Sequence, residues 1–439
     1  MDADVIVIGA GAAGLAAARS LAQRSLKVIL LEARDRIGGR VRWDTSGPAA
    51  AAPELGAEFI HGPAKETRAL LREAGTAALD TVSGSWTLGE DGHLRREEND
   101  LRSAARILEG AHALTDDESV DQFLRRFEHD STKAETLRMA RSFVEGFEAA
   151  DPAIASAKSI ADELRSGVDF ASARPLGGYG PMFEHLHNAC AVAGVQSHLS
   201  TVVRRISWRR AAVAVDAKTS LGETQAINAR AAIVTVPVGI LRQSGDDAEL
   251  VFDPHLPATK RDALQSIEMG HVARVLLWFR TAFWERIRNG RYSEAAIFRS
   301  PGQPFAAYWT QLPVHSELIV AWAGGPRATA LSGVSRAELI RRALDGFAAL
   351  FGEHELARQE FEGGDTHDWG ADPYSLGAYS YVVVGGGNAR AALGTPVDDT
   401  LFFAGEATST NGQGGTVNGA LQTGMRAAEE AATALGLEV

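Results

Sequence analysis

Two apolar runs near the start of the chain predict buried strands. Val5–Ile8 and Val28–Leu31 carry no polar side chain, which is typical of parallel strands that are covered on both faces. The segment from about 13 to 23 between them is rich in Ala and Leu and predicts a helix. The chain therefore opens with a predicted strand–helix–strand unit whose two strands lie side by side.

The turn inside this unit is rich in glycine, and the second strand ends in an acid. Gly9, Gly11 and Gly14 allow, in that order, a tight turn, close approach of a pyrophosphate and close packing of helix on strand. The N-terminus of the helix offers unpaired N–H groups to phosphates. Glu32 can accept the ribose hydroxyls of an adenosine and would repel a 2′-phosphate, which excludes NADP. Together these residues predict a dinucleotide site.

The rest of the chain shows mixed patterns. The polar stretch from about 100 to 165 has helical periodicity, whereas 233–241 and 402–408 begin as apolar strands. A last helix is predicted from 416 to about 434. At 439 residues the chain is long enough for two domains.

Composition narrows the possible classes of function. The formal net charge is −12, which argues against a nucleic-acid binder, because such a protein needs a basic face. The single cysteine, Cys190, excludes an internal disulfide or a cysteine metal site, and we expect a buried structural thiol. No signal peptide is visible and no apolar run of about 18 residues occurs, so we expect a cytoplasmic protein without a membrane span.

The residues after Glu32 resemble a known family. The run Ala-Arg-Asp-Arg-Ile-Gly-Gly-Arg at 33–40 is similar to the signature of flavin amine oxidases, which include monoamine oxidases, polyamine oxidases and the lysine-specific histone demethylase. Leu-Gly-Ala-Glu-Phe-Ile-His-Gly at 55–62 and Asp-Pro-Tyr-Ser-Leu-Gly-Ala-Tyr-Ser-Tyr at 372–381 resemble polyamine oxidases most closely. Further matches lie at 175–178, 202–203, 233–241, 402–408 and 416–420.

This resemblance implies an α/β fold with two intertwined domains. A Rossmann-type FAD-binding domain, with a parallel sheet and a β-meander, would comprise 1–62, 175–245 and 372–439. A substrate-binding domain of mixed β-sheet flanked by helices would comprise 63–174 and 246–371. The active site would lie between the two domains with the flavin at its floor, and the helical region from 100 to 165 would roof it.

The resemblance also implies FAD as the cofactor. Monoamine oxidases carry a cysteine that bonds to the flavin, and here that position is Ala378, so the FAD is expected to be non-covalent. The positions implied to lie against FAD are Gly9, Gly11, Ala13, Gly14, Glu32, Ala33, Arg34, Gly39, Arg40, Gly56, Ala57, Glu58, Val203, Trp369, Gly405, Glu406, Thr416 and Val417.

On the substrate side the resemblance implies an aromatic chamber. Tyr379 matches the aromatic that stands beside the amine, and Thr416 stands where monoamine oxidases have a second tyrosine. His61 and Trp309 are candidates for the pocket lining, and Trp369 for packing against the flavin, with a purely structural place in the core as the alternative. The candidate catalytic residues are therefore Arg274, Tyr379, His61, Thr416, Trp369 and Trp309.

Arg274 is the main departure from the family pattern. It replaces the family lysine that holds a water on flavin N5. Arginine can donate hydrogen bonds but is effectively never deprotonated, and its fork is longer. The replacement leaves open both the oxygen reaction and the amine class of the substrate. A structural ion pair is the alternative role for Arg274.

The predicted function is oxidation of a small-molecule amine, either a polyamine or a primary or secondary amine. Hydride transfer to flavin N5 would give an imine, which hydrolyses to an aldehyde and an amine. Oxygen would reoxidise the flavin and give hydrogen peroxide, unless another acceptor does so. The alternatives are an FAD enzyme that acts on an amino acid or a C–C bond, and a non-catalytic flavoprotein. The sequence predicts no metal site and leaves the oligomeric state open.

Overall fold

The structure is a computed structural model that describes residues 1–43, 53–82, 84–97, 100–166, 172–243 and 250–437. The strands are β1 (Val5–Ile8), β2 (Val28–Leu31), β3 (Ile60–His61), β4 (Ala78–Asp80), β5 (Ser85–Leu88), β6 (Leu94–Glu97), β7 (Ser172–Pro175), β8 (Gln196–His198), β9 (Thr201–Arg209), β10 (Ala212–Thr219), β11 (Thr224–Ala229), β12 (Ala231–Val234), β13 (Val251–Asp253), β14 (Ile267–Met269), β15 (Val272–Phe279), β16 (Ile297–Arg299), β17 (Ala307–Trp309), β18 (Leu318–Gly324), β19 (Phe361–Thr366), β20 (Ser380–Val382) and β21 (Leu401–Phe403).

The helices alternate with these strands along the chain. They are α1 (Ala12–Gln23), α2 (Lys65–Glu73), α3 (Asp100–Glu109), α4 (Val120–Arg125), α5 (Ala134–Gly146), α6 (Ala157–Arg165), α7 (Gly180–Val192), α8 (Val238–Leu241), α9 (Ala258–Gln265), α10 (Ile287–Gly290), α11 (Pro326–Thr329), α12 (Arg336–Ala349), α13 (His354–Glu360), α14 (Ala389–Gly394) and α15 (Val417–Ala434).

The predicted opening unit lies at the centre of a parallel five-stranded sheet. The strand order is β21-β12-β1-β2-β8, and every pairing is parallel. Every residue of β1 and β2 is buried, as their apolar runs predict. Helix α1 packs against α15 on one face of this sheet. The first and last helices of the chain are thereby brought together at the ends of the central strands.

The predicted β-meander is formed by β9, β10 and β11, which pair antiparallel in that order. Strand β13 extends the meander by pairing parallel with β9. It comes from the segment 246–371, which the sequence analysis assigns to the substrate domain, and it pairs with a strand of the segment 175–245. The boundary placed between residues 245 and 246 lies outside the described residues.

A second, mixed sheet faces the substrate side. Its order is β19-β15-β18-β17-β16-β5-β6, with β16 and β5 parallel and the other pairs antiparallel. Helix α12 packs on this sheet around a dense aromatic core. Helices α3, α4, α5 and α6 form a separate apolar cluster, which confirms the helical prediction for 100–165. The predicted α/β fold class is confirmed.

Three further observations concern membrane spans, metal sites and the thiol. In the part of the chain that the structure describes, we find no helix with the length and apolar character needed to cross a membrane. Within the same described ranges, no group of three or more His, Cys, Asp or Glu side chains is suited to hold a metal ion. Cys190 is a buried free thiol, as expected.

Candidate active site

A continuous cavity of about 1500 Å³ runs from the glycine-rich turn to the helical roof. Its walls come from the carboxyl ends of β1 and β2, the N-termini of α1 and α15, the mixed sheet, and helices α5 and α6. This volume exceeds the roughly 300–1,000 Å³ of a pocket for one small molecule. It leaves room for a dinucleotide and a substrate end to end.

The nucleotide end of the cavity has the features that the sequence predicts. No side chain caps the N-terminus of α1 at Gly11, so the N–H groups of its first turn face the cavity unpaired. A Cβ at Gly14 would lie 1.8 Å from the carbonyl oxygen of Gly9, and glycine therefore permits the contact between helix and strand. The carboxylate of Glu32 accepts from the N–H of Ala10 at 2.7 Å and of Arg34 at 2.8 Å. Burial raises the pKa of Glu32.

Arg40 and Glu406 form an ion pair at the cavity wall, with Arg40 Nη1 2.8 Å from Glu406 Oε1. Arg40 also donates to the carbonyl of Ala378 at 2.9 Å. The second oxygen of Glu406 accepts from Ser380 Oγ at 2.7 Å and from Gly415 N at 3.1 Å. Burial alone would raise the pKa of Glu406, but Arg40 and a second arginine outweigh it, so the pKa is lowered. The Glu406 carboxylate therefore binds groups from three separate segments of the chain.

Thr416 is the N-cap of α15. Its Oγ1 accepts from the N–H of Gly419 and donates to the carbonyl of Gln413, both at 2.9 Å. Thr416 and Val417 both line the cavity. The Thr416 hydroxyl therefore orders the helix end that faces the cavity.

Tyr379 stands at the cavity beside a second aromatic from the roof. Its hydroxyl donates to the carbonyl oxygen of Phe147 at 2.6 Å, and burial raises its pKa. The ring of Phe147 meets His61 edge-on with centroids 5.0 Å apart. Burial lowers the pKa of His61 to about 4, so its imidazole is neutral at physiological pH. Tyr379 and His61 both line the cavity and are linked through Phe147.

The two tryptophans predicted for the site are buried and also line the cavity. Trp369 donates its Nε1 proton to the carbonyl of Leu55 at 2.9 Å, and its ring packs edge-on against His367. Trp309 contacts Phe59, with ring centroids 5.5 Å apart. Both tryptophans therefore belong to the core and also contact the cavity, so the structure is compatible with the pocket role and with the structural alternative.

Arg274 lies in a buried charge cluster around Glu58. Its guanidinium donates to one oxygen of Glu58 and, at 2.9 Å, to the carbonyl of Gly56. Glu58 also accepts from Arg174 and from the indole N–H of Trp309. Burial raises the pKa of Glu58, but the two arginines outweigh it and the pKa is lowered. Arg274 therefore lines the cavity as an ion-pair partner, the role that the sequence left as an alternative.

A comparison with known families decides the class of the protein. A family model described as flavin containing amine oxidoreductase matches residues 12–432. The chain belongs to this family. The resemblance found in the sequence is confirmed, and the protein is a flavin-containing amine oxidoreductase.

Individual relatives agree with this assignment. Polyamine oxidase 2 of Arabidopsis thaliana is 30% identical over 97% of this chain and 87% of its own length. Lysine-specific histone demethylase 1 homolog 3 of the same plant is 29% identical over 97% of this chain, which spans 29% of that protein's length.

Solved structures share the fold. A putrescine oxidase bound to putrescine has a TM-score of 0.81 at 22% identity, and 98% of each chain is covered. Cyclohexylamine oxidase of Brevibacterium oxydans also has a TM-score of 0.81, at 21% identity, over 99% of this chain and 100% of its own.

The residues of this amine oxidoreductase fit FAD. A Cβ built on Gly11 or Gly405 meets no protein atom closer than 3.9 Å, so open cavity lies beside both backbones. With the uncapped α1 and the acid Glu32, these positions would hold the diphosphate and the ribose. FAD is the cofactor of this family and of this chain. Cys190 is absent from the residues that line the cavity, so no thiol is placed to bond to the flavin.

Several site residues escaped the sequence reasoning. Glu148 and Glu163 line the roof side of the cavity, and Arg390 bonds to Glu163 at 3.2 Å. Burial, and then the carboxylate of Glu163, raise the pKa of Glu148. Phe147 and Arg174 were also missed. None of these residues belongs to a recognisable sequence motif, because each contacts its partners only in the folded protein.

Proposed function

We propose that this oxidoreductase oxidises an aliphatic diamine or polyamine to an imine. The imine would hydrolyse to an aldehyde and an amine, and oxygen would take the electrons and give hydrogen peroxide. Bound FAD would supply the two-electron acceptor for the hydride from the α-carbon. The similarity to Polyamine oxidase 2 supports this substrate class, as does the shared fold with a putrescine oxidase.

The observation that carries the proposal is the carboxylate of Glu148. It lines the cavity on the same roof segment as Phe147, whose carbonyl receives the Tyr379 hydroxyl. Its pKa is raised because burial and the neighbouring Glu163 disfavour its negative charge. A cationic nitrogen beside Glu148 would offset both the burial and the repulsion from Glu163, and would thereby stabilise the ionised carboxylate. A substrate with a second, charged nitrogen therefore suits this cavity better than a monoamine does.

The other groups would orient the reacting nitrogen. Tyr379 is held by its bond to Phe147, so its ring presents a fixed face to the chamber. An aromatic face attracts a cation and can also pack against a neutral amine. His61 is neutral because burial lowers its pKa to about 4. It therefore adds no positive charge that would repel the substrate.

Oxidation of an amino acid is a weaker candidate. It would need an arginine free to clamp the substrate carboxylate through two parallel bonds. Arg274 and Arg174, which flank Glu58, both donate to that carboxylate. Their charge is therefore partly neutralised inside the protein.

The test is a substrate panel with the FAD-loaded protein in air. Spermidine, spermine, putrescine, benzylamine and a set of amino acids are compared by peroxide and aldehyde formation. We expect turnover with at least one di- or polyamine and a kcat/KM at least about tenfold above that for benzylamine. Turnover of amino acids alone, or a preference for benzylamine, would contradict the proposal.

A matched pair of variants tests the role of the Glu148 carboxyl in binding the substrate. Glu148→Gln removes the carboxyl that a bound cation would ionise inside the cavity, whereas Glu184→Gln removes an exposed carboxyl of α7 that does not line the cavity. We expect Glu148→Gln to raise KM for the preferred di- or polyamine by about tenfold or more, with a smaller effect on benzylamine. Equal losses for both amines, or equal losses in both variants, would count against a second cationic nitrogen at Glu148.

A further inference from the structure

An ion pair fastens the loop 367–379 to the nucleotide end of the cavity. Arg34 Nη1 lies 2.9 Å from Asp372 Oδ2, and Nη2 lies 2.7 Å from Oδ1. The two side chains are only 12% and 3% exposed. A guanidinium that meets a carboxylate through two parallel bonds fixes orientation as well as distance. We call this Arg34–Asp372 ion pair the clasp.

Asp372 has further donors that hold it in place. It accepts from the N–H of Tyr374 at 2.9 Å and from His367 Nε2 at 2.8 Å. Arg42 Nη1 lies 2.7 Å from Nδ1 of that histidine. Because a guanidinium can only donate, Nδ1 accepts, and Nε2 carries the proton that Asp372 receives. Burial would raise the pKa of Asp372, but His367 and Arg34 hold it well below its usual range.

The other end of the clasp is joined to the predicted ribose-binding acid. The backbone N–H of Arg34 donates to Glu32 Oε1 at 2.8 Å, and Glu32 Oε2 accepts from Ala10 in the glycine-rich turn. Two links therefore connect the acid at the end of β2 with the loop. Both Glu32 and Arg34 line the cavity.

The loop carries the aromatic wall of the site. Trp369 lies near its start and Tyr379 at its end, and both line the cavity. Backbone bonds between Gly270 and residues 378 and 379 hold the end of the loop. The middle of the loop is held by Arg34, which also donates to Ser375 Oγ at 3.0 Å. A change in the position of Arg34 would therefore move this loop, and with it Trp369 and Tyr379.

We propose that the clasp is a positioning device that couples FAD binding at the nucleotide end to the placement of the aromatic wall. Arg34 and Asp372 act through Trp369 and Tyr379 and need not touch the reacting atoms. A ribose bound to Glu32 orders Arg34, Arg34 orders Asp372, and the loop is set for the amine. The proposal rests on FAD as the cofactor and holds whichever amine is oxidised.

The primary test is backbone hydrogen exchange with and without FAD. In the wild type, we expect FAD to slow exchange in the loop 367–379 by about tenfold, as well as in the turn 9–14. Arg34→Lys keeps the charge but loses the fork, and Asp372→Asn keeps the shape but loses the charge. In both variants we expect FAD to protect the turn but no longer the loop. Loop protection that survives in both variants, or that is absent from the wild type, would overturn the proposal.

A kinetic arm separates positioning from general stability. With spermidine as the probe, we expect each variant to slow anaerobic flavin reduction by about tenfold, and the double variant to be no worse than either. Arg141→Lys and Asp121→Asn, which disrupt an ion pair between α4 and α5, are the controls and should leave the rate unchanged. Losses that are additive, or that the controls share, would mean that the clasp is only structural. If neither spermidine, spermine nor putrescine reduces the wild type, the proposed function fails, while the exchange experiment still decides the clasp.

Discussion

At the scale of single residues, the site depends on buried charges that compensate one another. Arg40 pairs with Glu406, and Arg274 pairs with Glu58. Each carboxylate also has a second arginine nearby, Arg390 for Glu406 and Arg174 for Glu58, so removal of one group changes the charge balance of the whole cluster. Substitutions that keep the charge are therefore the informative ones. Arg274→Lys is such a test, and Glu54→Gln tests a carboxyl whose pKa burial raises.

Arg274→Lys restores the residue that the family pattern has at this position. A lysine ammonium carries its three donors on one nitrogen and lacks the planar fork with which the guanidinium bonds to Glu58 and Gly56. We expect the rate of flavin reoxidation by oxygen to change by at least about tenfold, because charge develops on oxygen in that step. Anaerobic reduction by the amine should change less.

Stopped-flow measurement of both half-reactions checks this expectation. The matched control is Arg205→Lys, which alters an exposed ion pair with Asp253 and does not itself line the cavity. Equal changes in the two half-reactions of the Arg274 variant would contradict a specific role beside the flavin.

Glu54 makes stability depend on pH. Its carboxyl accepts from Tyr179 N at 2.7 Å, but its Oε2 has no hydrogen-bond partner among the described residues, and burial raises its pKa to about 8 from 4.5. Between these values the folded protein keeps a proton that the unfolded chain releases, so the wild type loses stability as pH rises. Glu54→Gln stays neutral and should lack this contribution to the loss.

Thermal unfolding at several pH values measures this effect. The Tm of Glu54→Gln minus that of the wild type should grow from about pH 5 to about pH 8. The same substitution at the exposed Glu184 of α7 is the control. A Tm difference that does not increase with pH would mean that Glu54 is ionised in the folded protein.

At the scale of elements, the ends of α1 and α15 define where the flavin lies. The two helices touch closely, since a Cβ at Gly424 of α15 would lie 2.1 Å from the carbonyl of Ala13 in α1. The uncapped N-terminus of α1 and the Thr416-capped N-terminus of α15 both reach the cavity. One helix can thus face the diphosphate while the other faces the ring system.

Gly14→Ala tests the packing of α1 on β1. The added Cβ would lie 1.8 Å from Gly9 O and 2.9 Å from its carbonyl carbon, so the helix must move away from the strand. We expect a loss of about 1–3 kcal/mol in stability and an FAD affinity at least about tenfold weaker. Fluorescence titration of the apoprotein with FAD measures the affinity, and urea unfolding measures the stability.

Gly363→Ala in β19 is the matched control, because a Cβ there meets no atom within 4 Å. It should leave FAD affinity unchanged. An unchanged affinity in Gly14→Ala would show that the contact between helix and strand does not position the phosphates.

The elements also show what the sequence could and could not predict. The turn from Gly9 to Gly14 and the acid Glu32 were predictable, because their spacing within one βαβ unit is local. The parallel pairing of β13 with β9 was not, since a three-residue strand carries no signal for its partner. The charge cluster around Glu58 and the carboxylate of Glu148 were missed for a related reason. Their partners are joined by tertiary contacts, and a lone charged residue in a sequence is usually solvated.

At the scale of the whole molecule, one cavity joins a nucleotide-binding end to an aromatic chamber. The parallel sheet and α1 form the nucleotide-binding end, and the mixed sheet and the helical roof form the aromatic chamber. The loop 367–379 and the segment that carries Arg40 and Glu58 line both ends. Cofactor and substrate are therefore expected to meet within a single continuous cavity.

The most direct test of this account is an anaerobic titration of the purified FAD-loaded protein with the preferred di- or polyamine, followed by visible flavin absorbance. The account predicts one tightly but non-covalently bound FAD per chain and full bleaching by about one equivalent of amine. A protein that binds no FAD, or one whose bound flavin no amine can bleach, would contradict it.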